Sequence, residues 1–579
     1  MKVTVLEEVP EDAEIVRGWN DLVLRMESPE VFYTQQWALA ASRAFSDRLC
    51  PLTFLVYDSG QLGGVAALAT DRASPDTAFF LTASTADYCD VVSEPGTRGA
   101  VLAAVLDEVK KRGVRDLVLA NVRAESPTLR ALPAAARSCG FHVHERPAYD
   151  CGIISLEGEE QRQAVLTSVV RKEREKRGLK KLRQLGPVHL RHLGAEELEM
   201  GLDSIVGMQI SRFLANHRFS PLIRPERRRF LRELGQLLSS AGWLKVSQLE
   251  VNGEPVAWNY GFRFFDSWFW YLPTFHLQYE DSSPGSCLLR LLIEEACADP
   301  LVKRLDLGLG EEAYKERFSN AICSTRYVQL STGKPQHFAN VSRHWLVASS
   351  ATFPAIEKRL RGGRDLLRGL RRRIAQRGVV ASATGALTRA RRSLISEDEI
   401  AFFEAPAVKI SEGETLIPLG WEQIAQAAID NADDEQTLAY LSRCAQRLRQ
   451  GGVTGYCLRG ETQSVHFLWV EPYDGFHLSE IDTRLESSDA GAVMIFDCWT
   501  PAAHRGHSNY ATAIRRAATG LQGQSKAVWI FSAAGNESSV RGIRKAGFVY
   551  RFSLVRRRRL FHTTIARSEE PSFRTFNSR

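Results

Sequence analysis

Val493-Met494-Ile495-Phe496-Asp497-Cys498-Trp499 is an apolar, β-prone run that stops at Thr500-Pro501. His504-Arg505-Gly506-His507-Ser508-Asn509-Tyr510 follows it and opens an alanine-rich helical pattern that ends near Thr519. The order is strand, turn, helix. A polar, glycine-containing turn at a helix start leaves backbone N–H groups unpaired at the positive end of the helix dipole, so it suits a phosphate or pyrophosphate. Next come a second β-run at 527–532, then Asn536-Glu537-Ser538-Ser539 opening a short helix. That helix closes at Gly547-Phe548 and leads into a further strand at 549–555.

This order resembles the acyl-CoA-binding half of the GNAT acyltransferases. The resemblance implies acetyl-CoA or another acyl-CoA as co-substrate, held by Arg505, Gly506, His507, Ser508, Asn509, Tyr510 and Asn536, with the Trp499 main chain polarising the thioester carbonyl. Two departures stand out. Ser508 and Tyr510 occupy positions that are usually small, and Ile543 stands where the family often has a Tyr as acid for the leaving thiolate.

With 579 residues the chain is too long for one core and predicts three or four domains. The net charge of +7 is concentrated in a few stretches, so the whole surface does not read as a nucleic-acid binder. No run approaches a membrane span and the N-terminus has no apolar core of signal-peptide length, so a cytoplasmic protein is expected. The ten cysteines form no Cys-x-x-Cys or Cys/His cluster, which argues against a disulfide framework and against a metal site.

Residues 1–155 read as mixed α/β, with a hairpin over 51–69 turning at Ser59-Gly60 and no glycine-rich phosphate turn. Residues 156–335 form a second unit. It opens on a basic stretch, 171–183, which is either a solvated helix face or a cationic face for an anionic donor. A hairpin through Asn252-Gly253 repeats that of the first unit, so the two are expected to be structural repeats. Ser283-Pro284-Gly285-Ser286 then places a small-residue turn before a helix, a second candidate cradle at Ser283, Gly285 and Ser286, with Leu272 as the main-chain partner.

Trp37, Asp87-Tyr88-x-Asp90, Ser283-Pro284-Gly285 and Asp306-x-Gly308-x-Gly310-Glu311-x-x-Tyr314-Lys315 together resemble the CelD/BcsL-type acetyltransferases over residues 5–330. That family is built from paired GNAT-like units and is associated with cellulose and exopolysaccharide biosynthesis. The resemblance implies tandem GNAT-like folds, α/β with mixed central sheets flanked by helices, and general acid/base roles for Glu311, Tyr314 and Lys315. It implies transfer of an acyl group to a small-molecule or saccharide acceptor. The related Fem-type transferases take their acyl group from aminoacyl-tRNA, and a non-catalytic interaction protein is a third reading.

Residues 336–404 read as a basic linker. Within it 364–377 has Leu366, Leu367, Leu370 and Ile374 at helical spacing among arginines. Another domain, an anionic membrane surface or RNA would each fit this helix. The membrane option would make the protein peripheral to the inner membrane. A last GNAT domain is expected over 405–562, with a disordered tail over 563–579.

Overall fold

Two hairpins set the pattern of the N-terminal sheet. Strands β2 (Leu49–Asp58) and β3 (Gln61–Asp71) are joined by Ser59 and Gly60, at φ +50 and +84. Strands β9 (Leu244–Val251) and β10 (Glu254–Phe264) are joined by Asn252 and Gly253, at φ +55 and +81. Two successive positive φ values match the twist of the flanking strands, so the repeated turn chemistry gives a repeated hairpin. The computed structural model describes residues 1–170, 173–310, 313–342, 395–406, 416–486, 489, 491–522, 527–559 and 562–570. These residues form two units, one of 1–212 and 221–342, the other of 213–220 and 395 onward.

The first unit adds β1 (Lys2–Leu6), β4 (Ser74–Phe80), β5 (Val92–Ser93), β6 (Asp116–Arg123), β7 (His142–Ser155), β8 (Val188–Leu193), β11 (Ser267–Phe275), β12 (Arg304–Leu309) and β13 (Ala321–Ser331). One sheet runs β1-β2-β3-β4-β6-β13-β7-β12-β11-β10-β9-β8, with β5 on β3. Its parallel neighbours are β4 with β6 and β11 with β12, one pair in each half. The last strand of each half sits beside the other half's parallel pair: β7 lies against β12, and β13 against β6. The halves therefore exchange strands, and position 155 does not separate two sheets as the sequence reading places it. The apolar alternation of β7 and β13 specifies strands without specifying which neighbour completes them. A buried ion cluster spans the same junction, where Glu30, with no exposed surface, pairs with Arg123 of β6 and Arg304 of β12.

The second unit contains β14 (Ile395–Glu404), β15 (Ile417–Pro418), β16 (Thr454–Arg459), β17 (Ser464–Pro472), β20 (Val493–Trp499), β21 (Val528–Ala533), β22 (Val549–Arg559) and β23 (His562–Ser568). A small ribbon of β18 (His477–Leu478) and β19 (Thr483–Arg484) stands apart from the sheet. The sheet order is β15-β16-β17-β20-β21-β14-β22-β23, with β20 and β21 parallel. Two expected boundaries shift. Residues 395–404, assigned to the linker, form β14 between β21 and β22, and 562–568, assigned to the tail, pair with β22. The acidic run Glu397-Asp398-Glu399 hides β14 from an apolar pattern. Its partners are the arginines of β22, with Arg556 on Asp398 at 2.7 Å and Arg557 on Glu397 at 3.2 Å. The helices Asn509–Gln522 and Glu537–Lys545 cover one face of this sheet, packing Ile514, Val540 and Ile543 on Leu468, Ile495 and Ile530. The helix expected over 364–377 lies outside the described residues.

Candidate functional site

Strands β20 and β21 pair only at Val493↔Val528, Met494↔Trp529 and Ile495↔Ile530, then both continue without bonding to each other. A V opens between them, and β20 is distorted at its mouth. The register with β17 shifts between Phe467 and Trp469, and Asp497 stands at φ +44, a left-handed conformation that costs a non-glycine residue about 1 kcal/mol or more. The conformation is held from behind. Tyr440 donates to the Asp497 carbonyl at 2.9 Å, and the Arg447 guanidinium pairs with the Asp497 carboxylate.

Beyond Trp499 the chain makes the turn singled out in the sequence. Arg505 Nε donates to the Thr500 carbonyl at 3.1 Å, with its guanidinium 5.3 Å from the centre of the Trp499 ring. Asn509 Nδ2 donates to the His504 carbonyl at 3.1 Å, and Lys545 Nζ donates to Ser508 Oγ at 2.7 Å. Gly506 and Ser508 sit at φ +85 and +62. These bonds fix the turn through side chains, while the backbone N–H groups of residues 506–511 have no acceptor among the described residues. Unpaired donors at the start of the helix Asn509–Gln522 are the arrangement that suits an anion.

The V and the turn enclose one cavity of about 920 Å³. Of the residues assigned to this site from sequence, Trp499, Arg505, Gly506, Ser508, Asn509, Tyr510 and Asn536 line it. His507 is exposed and is not among the lining residues, because the left-handed turn directs it away from the V. Asn536 caps the helix Glu537–Lys545 by accepting from Ser539 N at 3.2 Å, and Tyr510 lies across that helix with its hydroxyl 3.1 Å from Ser539 Oγ. Burial pushes the Tyr510 phenol well above its ordinary range. The sequence reading missed His466. It comes from β17, lines the cavity, and places Nδ1 2.8 Å from Thr500 Oγ1 while the buried Nε2 has no partner among the described residues. Burial alone pushes its imidazole down to about 3, so it is neutral at physiological pH. A lone histidine in an apolar strand gives no sequence signal of this kind.

The first unit is different. Strands β11 and β12 also pair over three positions and then part, but Trp270 and Tyr314 meet beside that opening, Nε1 to hydroxyl at 3.2 Å, packed on the core. Ser283, at φ +50, caps the helix Pro284–Ala298 with Gly285 and Ser286 in its first turn. The helix Glu173–Leu185 packs against that turn: a Cβ on Gly178 would lie 2.7 Å from the Ser282 carbonyl, and Lys181 Nζ donates to the Asp281 carbonyl at 3.0 Å. Part of the basic stretch 171–183 is thus a packing surface. In the first half the corresponding opening is bridged by the segment after β4, through Cys89 N to the Asn121 carbonyl at 3.0 Å and Asn121 Nδ2 to the Ala86 carbonyl at 3.1 Å.

Lys315 is buried, with Nζ donating to the carbonyls of Gly308 at 3.2 Å and Leu309 at 2.6 Å. Beside it lies Asp87, brought from the first half. Burial first, then the neighbouring Asp306, raises its carboxyl to about 7, against the opposing pull of Lys315. Gly308, at φ +72, leaves the space: a Cβ there would stand 2.7 Å from Asp87 Oδ2. Asp306 in turn accepts from Tyr88 and from Gly308 N, both at 2.8 Å. Of the quoted motif residues, Asp87, Tyr88, Asp306, Gly308 and Lys315 therefore converge in a buried polar cluster, and Glu311 lies outside the described residues. Among the described residues no group of three or more His, Cys, Asp or Glu is placed to hold a metal, and no helix is long and apolar enough to cross a membrane.

Comparison with solved structures finds FemX, at 9% identity and a TM-score of 0.43, covering 59% of this chain and 99% of that one. A tandem GNAT protein from the clavulanic acid biosynthesis pathway matches at 14% identity and a TM-score of 0.36, covering 56% and 98%. A conserved protein of unknown function from Bacteroides thetaiotaomicron matches at 11% identity and a TM-score of 0.37, covering 57% and 100%. No curated protein matches in sequence. Residues 170–316 match the family model described as an acetyltransferase (GNAT) domain, and this chain accordingly carries a GNAT acetyltransferase domain in that segment.

Proposed function

We propose that the protein is an acyl-CoA-dependent acyltransferase whose acyl donor binds in the second unit, in the V between β20 and β21. The observation that supports this most is the 920 Å³ cavity lined by Gly506 and residues 508–511, whose five backbone N–H groups have no acceptor among the described residues, with Arg505 and Lys545 on its wall. The free N–H groups and both cations would hold the pyrophosphate, and the opened edge of β20 would receive the acyl-bearing arm. Transfer joins the acceptor's nitrogen or oxygen to the thioester carbon and breaks the C–S bond. The acceptor's proton is lost and the departing thiolate takes one up. An acetyl donor and a saccharide acceptor of the envelope or of an exopolysaccharide are the finer reading, resting on the resemblance over residues 5–330. Under it the protein works in the cytoplasm.

Isothermal titration with acetyl-CoA tests the site. Wild type should bind, and Arg505→Ala/Lys545→Ala should bind ten- to a hundredfold more weakly, the loss of about 1.5–3 kcal/mol given by charge-assisted hydrogen bonds. No binding by wild type at millimolar ligand would reject the acyl-CoA reading in favour of aminoacyl-tRNA or a non-catalytic role.

A further inference from the structure

The closed end of the V bears on which acyl group the donor carries, and the inference rests on the acyl-CoA reading of this cavity. Side chains alternate across a strand, so the last bonded pair, Ile495 and Ile530, packs under the helices, and the next residues, Phe496 and Phe531, face the other side of the sheet. Both phenylalanines are half-buried and line the cavity. They stand where the two strands part. Trp499, the last residue before the turn, is three positions further along β20, or about 10 Å. A donor anchored by its pyrophosphate at the turn and laid along the V would point its acyl end toward these two rings.

A third ring backs the other two. Residues 473–485, between β17 and β20, fold back on that side of the sheet. Gly475 N donates to the Leu485 carbonyl at 2.8 Å and Leu485 N to the Phe476 carbonyl at 2.9 Å, closing the segment on itself. Its side chains Phe476, Leu478, Ile481 and Leu485 are all buried in one core with Phe402 and Phe552 of the sheet. The Phe476 ring meets both arms of the V edge to face, its centre 5.2 Å from that of Phe496 and 5.8 Å from that of Phe531. The Arg447 guanidinium lies 5.2 Å from the Phe496 ring centre as well. Rings packed this closely do not move aside for a longer chain without strain. We propose that Phe476, acting through Phe496 and Phe531, limits the length of the acyl group and makes the protein selective for short-chain acyl donors.

The test compares donors that differ only in the acyl group. Acetyl-CoA, hexanoyl-CoA and coenzyme A itself are titrated into the full-length wild type and into Phe476→Ala, Phe476→Leu and Phe552→Leu, with thermal unfolding confirming that each variant is folded. Wild type should favour acetyl-CoA over hexanoyl-CoA by about tenfold or more. Each methylene that gains an apolar wall is worth about fourfold in affinity, so Phe476→Ala should bring hexanoyl-CoA to at least equal affinity while holding coenzyme A within about threefold of wild type. Phe476→Leu keeps more of the side-chain volume and should shift the preference the same way by less. Phe552 belongs to the same core, stacked on Phe402 and not lining the cavity, so Phe552→Leu loosens the core without opening the V and should leave the preference unchanged. Equal affinity of wild type for the two acyl-CoAs, an unchanged preference in the folded Phe476 variants, or an equal shift in Phe552→Leu would overturn the proposal. Failure of wild type to bind any of the three ligands would instead overturn the acyl-CoA reading of the cavity.

Discussion

His466 and Asp87 carry opposite consequences for stability against pH. The histidine has a folded-state pKa of about 3, below its ordinary value of about 6.5. As pH falls the unfolded chain takes the proton first. Its contribution is therefore full above about pH 6.5 and declines toward pH 3, by about 1.4 kcal/mol per pH unit inside that window. Asp87 is raised to about 7, so its contribution is full below about pH 3.9 and is lost as pH rises through 7. Peptide-resolved hydrogen exchange between pH 4 and 7 should show protection of β17 rising with pH and that of the segment after β4 falling. His466→Gln should flatten the first trend and Asp87→Asn the second. Glu30 gives a third expectation. Glu30→Ala leaves Arg123 and Arg304 buried without their shared carboxylate, and chemical unfolding should register a loss of about 3–5 kcal/mol. The turn between strand and helix was legible from Pro501, Gly506 and the residues around them because turn chemistry is local. The roles of His466, Asp87 and Lys315 were not, because each depends on groups that folding brings from another element.

Among the elements, the approach of the two helices over the C-terminal sheet is tightly specified. A Cβ on Gly542 would fall 2.5 Å from Tyr510 Cδ1, so the helix Glu537–Lys545 reaches its place only because that residue is glycine. Gly542→Ala should destabilise the second unit by about 1–3 kcal/mol in urea unfolding, and Tyr510→Ala in the same chain should relieve most of it. Tyr510 was read from sequence as a loss of the usual small residue; the structure shows a compensating small residue across from it, at a separation that no local pattern reports. Ile543 likewise reads as a missing tyrosine, and in the fold it is a fully buried core side chain. Strand existence was mostly legible from apolar alternation and paired turn residues. Strand β14 was not, since its acidic residues make sense only opposite the arginines of β22.

At the scale of the whole chain, the repeated units were visible as repeated hairpins, while the exchange of β7 and β13 was not: a strand's own residues do not encode which half it joins. Each half of the first unit thus lacks a strand that the other provides. Separate expression of residues 1–155 and 156–342 should give no folded product by circular dichroism, and coexpression should restore a soluble complex; two independently folded pieces would refute the exchange as a condition of folding. The same exchange sets an order in time for synthesis. While the ribosome is still translating, the N-terminal half has β6 but no β13, and its open edge waits until Ser331 has emerged. At ~5–20 residues per second this wait after Ser155 lasts about ten to thirty-five seconds. An unpaired strand edge held that long is a surface for misassociation between nascent chains, so the yield of folded protein should depend on chaperones and translation speed more than on the stability of the finished fold.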